Sequence, residues 1–124
     1  MKKIINTSKA PAPIGPYSQG VVANGMLFVS GQIAIQPPTG NIILNDIKAE
    51  TKQVMENINA ILKETGMSFN NVVKTSIFLI DLDNFSQVNE VYGSFFHENF
   101  PARETVQVSK LPKGANVEIS VIAV

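Results

Sequence analysis

Residues 72–80 read VVKTSIFLI, and this stretch decides the fold. It is rich in β-branched residues, and every position from Ile77 to Ile80 is apolar. A strand with one solvated face alternates apolar and polar residues, whereas a continuous apolar run is typical of a strand covered on both faces. The stretch therefore predicts a central strand. Helices could cover one of its faces and a neighbouring subunit the other.

Two amphipathic helices are predicted, one before and one after this strand. The first begins after Asp46, a favourable N-cap residue, and ends at Gly66, a residue suited to the C′ position. The second is capped by Asp83 or Asn84, and Pro101 ends it. Its apolar residues recur at spacings of three and four, which is typical of a core face: Phe85, Val88, Tyr92, Phe95 and Phe96.

The chain opens with a predicted β-hairpin. Residues 19–23 and 26–30 flank the pair Asn24-Gly25, and both residues of such a turn must adopt positive φ. The hairpin therefore supplies two antiparallel strands. A short strand around residues 42–44 could follow it.

Two closing strands are predicted at residues 103–109 and 116–124, which flank a turn containing proline and glycine. The period of two sets the valines of the first strand on one side and Arg103 on the other. It likewise sets Glu118 opposite the apolar residues of the second strand. If both apolar sets enter one core, Arg103 and Glu118 share a face of the sheet.

The order of elements, β-β-(β)-α-β-α-β-β, is typical of an α+β fold with two helices packed on one face of a sheet. The 124 residues fit a single domain, residues 1–124, without a linker. No apolar stretch is long enough for a signal peptide or a membrane helix. We therefore expect a soluble cytoplasmic protein.

Composition excludes several classes of function. Ten basic and ten acidic residues cancel, which disfavours a nucleic-acid partner or an anionic membrane. Without cysteine there is no thiol nucleophile, disulfide or thiolate metal site. Charged residues make up 16% of the chain, against about 25% in ordinary soluble domains. This favours self-association, although a surface rich in uncharged polar residues would also account for it.

Arg103 is the only arginine, and a guanidinium in a cleft is well suited to binding a carboxylate through two hydrogen bonds. The alternative is a structural salt bridge or cross-strand charge pair between Arg103 and Glu118. Tyr17 lies between proline and glycine residues, so a loop position is predicted. The sole histidine, His97, is expected at a helix end. No metal-ligand cluster and no glycine-rich phosphate-binding motif is present, and no cofactor is expected.

Several motifs, in order along nearly the whole chain, resemble the reactive-intermediate deaminase family. They are APAPIGPYSQG at 10–20, VSGQI at 29–33, VKT at 73–75, VNEVY at 88–92, FPAR at 100–103, LPK at 111–113 and VEI at 117–119. The resemblance implies a chorismate-mutase-like fold and a homotrimer, with the sheets forming an inner barrel and a cleft between each pair of subunits. It also implies the hydrolysis of 2-imino acids to 2-keto acids and ammonia.

The resemblance also implies roles for individual residues. Arg103 matches the residue that binds the substrate carboxylate, and Glu118 matches the one that positions or activates water. Tyr17 matches a family tyrosine that closes the site, and Ser30 with Gly31 matches a serine-glycine pair that helps to line it. A further family position near the cleft corresponds to Asn89.

The chain departs from many family members at Glu104, where they have a serine, and at the next residue; by alternation, Glu104 should point away from the face of Arg103. Thr105 stands where they have a cysteine. If this position acted as a nucleophile, the difference would put the activity in doubt. If only its backbone carbonyl orients water, activity should survive, and we favour this second view because imine hydrolysis requires no covalent intermediate. Two other functions stay open: a regulatory module that binds a 2-keto acid without turnover, and a translation inhibitor or ribonuclease, which fits poorly with zero net charge.

Overall fold

The computed structural model describes residues 1–124, and six strands form one mixed sheet. The order across the sheet is β1-β2-β3-β6-β4-β5. β4 and β5 are parallel, and every other neighbouring pair is antiparallel. The strands are β1 Lys2–Ile5, β2 Gly20–Ala23, β3 Met26–Gln32, β4 Val72–Leu79, β5 Ala102–Gln107 and β6 Val117–Ala123.

The central position predicted for β4 is confirmed, since the strand lies between β6 and β5. Its side chains alternate between two environments. Thr75, Ile77 and Leu79 are fully buried under the helices, whereas Ser76 and Phe78 lie on the opposite face and are only half-buried. Within one chain, therefore, only one face of the central strand is covered.

Two helices pack on the same face of the sheet, as predicted for an α+β fold. Helix α1, Ile47–Glu64, contacts β3 and β6, and α2, Phe85–Gly93, packs against α1. Asp46 caps α1 by accepting the N–H of Lys48 at 3.0 Å, and Gly66 ends it with φ +75°. Neither helix is both long enough and apolar enough to cross a membrane.

The predicted hairpin is confirmed, because Asn24 and Gly25 have φ of 51° and 75° between β2 and β3. The strand expected around residues 42–44 is reduced to a single bridge between Ile35 and Ile42. The sequence pattern did not predict β1.

Helix α2 is shorter than predicted. It ends at Gly93, eight residues before Pro101, after which the chain turns. The rings of Phe95 and Phe96 then pack edge-on against Phe69, with centroids 5.4 and 5.3 Å apart. A glycine at the helix end lowers the cost of leaving the helix, and the aromatic contacts stabilise the turn that follows.

The closing strands are also arranged differently from the prediction. Each exists, but β5 and β6 do not pair, because β4 lies between them. Strand β5 enters the sheet parallel to β4 at the edge. Because β5 and β6 are close in sequence, a hairpin between them was expected. Instead β6 pairs antiparallel with β4, which separates it from β5.

Candidate functional site

Arg103 and Glu118 lie on opposite faces of the sheet. Along β4, Arg103 is paired with Thr75 and Glu118 with Phe78. Because successive side chains of a strand point to opposite faces, Thr75 and Phe78, three residues apart, point in opposite directions. The prediction of a shared face is therefore wrong, and so is the alternative of a salt bridge between the two residues within one chain.

This error has a physical cause. The prediction required β5 and β6 to be neighbours and required the valines of β5 to enter the core. In the structure β4 separates the two strands, and Val106 is 41% exposed on the open face. The face of β5 beneath the helices carries Arg103 and Thr105 instead.

On the helix face, α2 holds Arg103 in place. Its Nη1 donates to Oδ1 of Asn89 at 2.7 Å. Its guanidinium carbon lies 5.1 Å from the ring centre of Tyr92 and 5.6 Å from that of Phe85. All three ion pairs of the chain are made by lysines, so no carboxylate pairs with Arg103. The guanidinium borders a cavity of about 340 Å³, where its remaining N–H groups could hold a planar anion.

Thr105 lies two residues further along β5, on the same face as Arg103. Its Oγ1 is buried and has no hydrogen-bond partner. A hydroxyl in this state has lost its hydrogen bonds to water and gained none in return. Since the oxygen is also sealed from solvent, the placement disfavours a role for Thr105 as a nucleophile.

The open face carries a second cavity, of about 350 Å³, which contains Glu118. A β-bulge at Ser30 and Gly31 forms part of its wall, where the register of β3 against β6 shifts. A Cβ at Gly31 would lie 2.5 Å from Oε2 of Glu118. The carboxylate can therefore come this close to the strand only because residue 31 is glycine. Most of the remaining wall is apolar: Pro11, Ala12, Ile14, Ile33, Ile35 and Pro112.

The environment of Glu118 favours the neutral acid. Burial raises the pKa of its carboxyl above the ordinary value for glutamate, because desolvation disfavours the ionised form. No ion pair of the chain includes Glu118 to offset this effect. A carboxyl with a raised pKa is suited to accept a proton and later return it.

Tyr17 and Ser30 border the same cavity. Tyr17 lies on a loop, as predicted, and its hydroxyl accepts the N–H of Ile14 at 3.4 Å. The Oγ of Ser30 donates to the carbonyl of Ser18 at 2.5 Å. Two groups of predicted site residues result: Tyr17, Ser30, Gly31 and Glu118 at one cavity, and Asn89, Arg103 and Thr105 on the other face.

Several residues at or near these cavities were not predicted from the sequence. Gln19 and Gln32 are buried at the wall of the Glu118 cavity. Phe85, assigned to the core, is 40% exposed beside Arg103. A glutamine next to a loop cannot be distinguished from a surface residue by periodicity. No group of three or more His, Asp or Glu side chains is arranged to hold a metal ion.

Comparison with known proteins identifies the family. Residues 7–124 match the family model described as endoribonuclease L-PSP. The chain belongs to this family. The resemblance inferred from the sequence motifs is thereby confirmed, because relatives across the full length of the chain are named as imine deaminases.

Three relatives illustrate the similarity. A RutC family protein of Pyrococcus horikoshii is 51% identical over 99% of this chain and 98% of its own length. The human 2-iminobutanoate/2-iminopropanoate deaminase is 44% identical over 100% of this chain and 90% of its own. The crystal structure of Escherichia coli TdcF with bound serine superposes with a TM-score of 0.94, at 43% identity and 98% coverage of both chains.

The first prediction concerns the stability cost of Glu118. Its folded-state pKa is raised, so the ionised side chain destabilises the fold above that pKa, and the cost disappears below the ordinary glutamate pKa. We expect Glu118→Gln to raise the Tm near pH 7 and to leave it unchanged near pH 4. Thermal unfolding at both pH values tests this, with Glu98→Gln on an exposed loop as the control. An equal gain at both pH values would contradict the burial explanation.

The second prediction concerns the orphan hydroxyl of Thr105. Replacing it with valine keeps the shape and removes the unpaired oxygen, so we expect a stabilisation of about 1 kcal/mol. The matched control is Thr75→Val on the same face, where Oγ1 accepts the hydroxyl of Tyr92 at 3.0 Å. This control should destabilise the protein. Urea unfolding measures the free energy of unfolding of both variants. A loss of stability in Thr105→Val would show that the wild-type Thr105 hydroxyl has a hydrogen-bond partner.

Proposed function

We propose that the protein hydrolyses 2-iminobutanoate, 2-iminopropanoate and their enamine tautomers such as 2-aminoacrylate to 2-keto acids and ammonia. The observation that carries the proposal is a pair of complementary groups. Arg103 is a fixed cation without an acidic partner, and Glu118 is a half-buried carboxyl in the wall of a cavity. The human relative's name describes the same reaction.

We further propose that the active site forms between two copies of the chain. Arg103 and Glu118 lie on opposite faces, so one molecule of substrate can meet both only if they come from different copies. Contact between two different surfaces is heterologous, and such contacts form a ring when the rotation between copies closes. The ring that the family resemblance implies is a homotrimer.

The open face of the sheet supports this assembly. It exposes large apolar side chains that a monomer would leave in water, among them Phe28 at 41% and Val106 at 41%. We propose that another copy of the chain covers these side chains, which would remove their apolar surface from water. Covering it with further copies of the chain would also complete the burial that the apolar sequence of β4 predicts.

In the proposed mechanism, Arg103 anchors the substrate through its carboxylate. Asn89 and the rings of Tyr92 and Phe85 restrict the guanidinium to one orientation. A pre-oriented guanidinium loses less conformational entropy when it binds a carboxylate through two hydrogen bonds. The anchored substrate then presents its C2 atom to the Glu118 cavity of the adjacent copy.

Glu118 carries the proton transfers. Its carboxylate takes a proton from water while the water oxygen bonds to C2 of the iminium, giving a neutral carbinolamine. The protonated Glu118 then gives this proton to the amino nitrogen. The C–N bond breaks, ammonia leaves, and the hydroxyl proton is released as the keto group forms. Acid–base help of about 10²- to 10⁴-fold, or some 3 to 5 kcal/mol, is enough for so reactive an electrophile.

The other predicted residues shape the site. Tyr17, Ser30 and Gly31 line the cavity around Glu118, and we propose that they confine the substrate and the water. The Oγ1 atom of Thr105 is buried, so we propose that this hydroxyl does not contact the substrate. The mainly apolar wall suits the short aliphatic side chain of the substrate.

A binding module for 2-keto acids is the second candidate, since it would use the same cation and cavity. The crystal structure of TdcF with bound serine is that of a relative holding a small carboxylate ligand. The ribonuclease function suggested by the family description has less support. Arg103 is the only arginine, the net charge is zero, and a carboxylate in the cavity would repel phosphodiesters.

The third prediction tests the reaction itself. With 2-aminoacrylate or 2-iminobutanoate generated in situ by a dehydratase, the protein should accelerate release of the keto acid. Arg103→Ala should lose about a hundredfold or more in kcat/KM, because the carboxylate loses its charge-assisted hydrogen bonds. Lys110→Ala, on an exposed segment, is the control. A wild-type protein that binds 2-ketobutanoate without acceleration would favour the binding module.

The fourth prediction tests the shared site. Arg103→Ala and Glu118→Gln should each be inactive alone. When the two variants are unfolded and refolded together, one site in about four should combine an intact Arg103 with an intact Glu118 from different copies. We therefore expect the mixture to recover about a quarter of wild-type activity. If the mixture stays inactive although mixed oligomers form, each active site lies within one chain.

A further inference from the structure

The wall of the Glu118 cavity includes a loop, residues 7–17, that the sheet does not hold. Three prolines interrupt it, and no backbone hydrogen bond joins it to the rest of the protein. Its main-chain contacts are internal, such as the N–H of Tyr17 donating to the carbonyl of Gly15 at 2.8 Å. Four of its residues nevertheless line the cavity: Pro11, Ala12, Ile14 and Tyr17.

One side chain supplies the hydrogen bonds that attach this loop. Oε1 of Gln19 accepts the N–H of Thr7 at 2.7 Å. Its Nε2 faces three carbonyl oxygens, those of Thr7 at 3.0 Å, Ala10 at 3.3 Å and Pro11 at 2.9 Å. Gln19 is only 2% exposed, so water cannot replace these bonds without opening the structure.

Gln19 is also fixed at its other end. Its backbone carbonyl accepts the N–H of Ser30 at 2.9 Å, and Ser30 belongs to the bulge that brings Gly31 next to Glu118. The same residue therefore connects the loop to β3, which supplies another part of the cavity wall. Apart from these bonds, the loop is anchored by Ala10, whose side chain is buried in the core.

We propose that Gln19 is a positioning residue, which holds loop 7–17 in the conformation that forms the cavity around Glu118. It acts through the loop rather than on the substrate. Releasing the loop would leave Glu118 in place but remove the wall formed by Ile14 and Tyr17. The kinetic part of the test rests on the proposed function, whereas the structural part does not.

The fifth prediction compares two substitutions of Gln19 with a control substitution of another amide side chain. Gln19→Glu keeps size and shape but turns an oxygen toward three carbonyl oxygens, so attraction becomes repulsion. Gln19→Met keeps the length and lacks both donor and acceptor. The matched control is Asn71→Asp, which loses the bond from Nδ2 to the carbonyl of Val124, away from the cavity.

Trypsin reports on the loop directly, because Lys9 is exposed within it. We expect cleavage after Lys9 to be about tenfold or more faster in both Gln19 variants than in the wild type and Asn71→Asp. Cleavage at Lys52 and Lys63 on α1 serves as the internal reference for global unfolding. If cleavage at Lys9 accelerates no more than cleavage on α1, Gln19 does not anchor the loop and the proposal is overturned.

Turnover of 2-iminobutanoate tests whether Gln19, besides anchoring the loop, positions the cavity wall for the reaction. In the Gln19 variants we expect kcat/KM to fall about tenfold or more, mainly through a higher KM, because the lost wall contacts the substrate throughout the reaction. Faster cleavage at Lys9 with unchanged kcat/KM would overturn the positioning role. An inert wild-type protein would remove the proposed function, and the trypsin result would still decide whether Gln19 shapes the cavity.

Discussion

The alternation of side chains across β4 is the constraint on which the rest of the structure depends. This strand pairs with β6 on one side and β5 on the other, so its register determines which face each of their residues occupies. It sends Arg103 toward the helices and Glu118 toward the open face. A cation and a carboxylic acid are thereby held apart within each chain, which is why the proposed active site requires two copies of the chain.

Stability and chemistry oppose each other at the open face. Burial of Glu118 without a cation raises its pKa, which costs folding free energy when the carboxyl is ionised and also makes it a better proton carrier. The β-bulge at Ser30 and Gly31 shows the same opposition. It interrupts the regular pairing of β3 with β6, but it lets the backbone at Gly31 lie close to the carboxylate of Glu118. Buried amides such as Gln19 and Asn57 compensate locally by hydrogen bonding the carbonyls of irregular segments.

Local patterns predicted the elements well where one signal dominated. Asp46 and Gly66 mark the two ends of α1 as expected, because capping depends on only a few adjacent residues. Asn24-Gly25 forms the hairpin for the same reason. Prediction failed where distant residues compete. Phe95 and Phe96 pack against Phe69 and do not continue the helix that their spacing predicts. Strand β1 forms by pairing with the edge of β2.

The sequence by itself determined the α+β fold class, the central strand, the family, and the residue types available for chemistry. It also determined which neighbours within their own strands share a face with Arg103 and with Glu118, because side-chain alternation is a local property of a strand. Only the tertiary structure decided which strands are neighbours, and hence that the two residues face opposite ways. Strand order depends on the free energy of packing the whole sheet against its helices, and no single segment encodes that quantity.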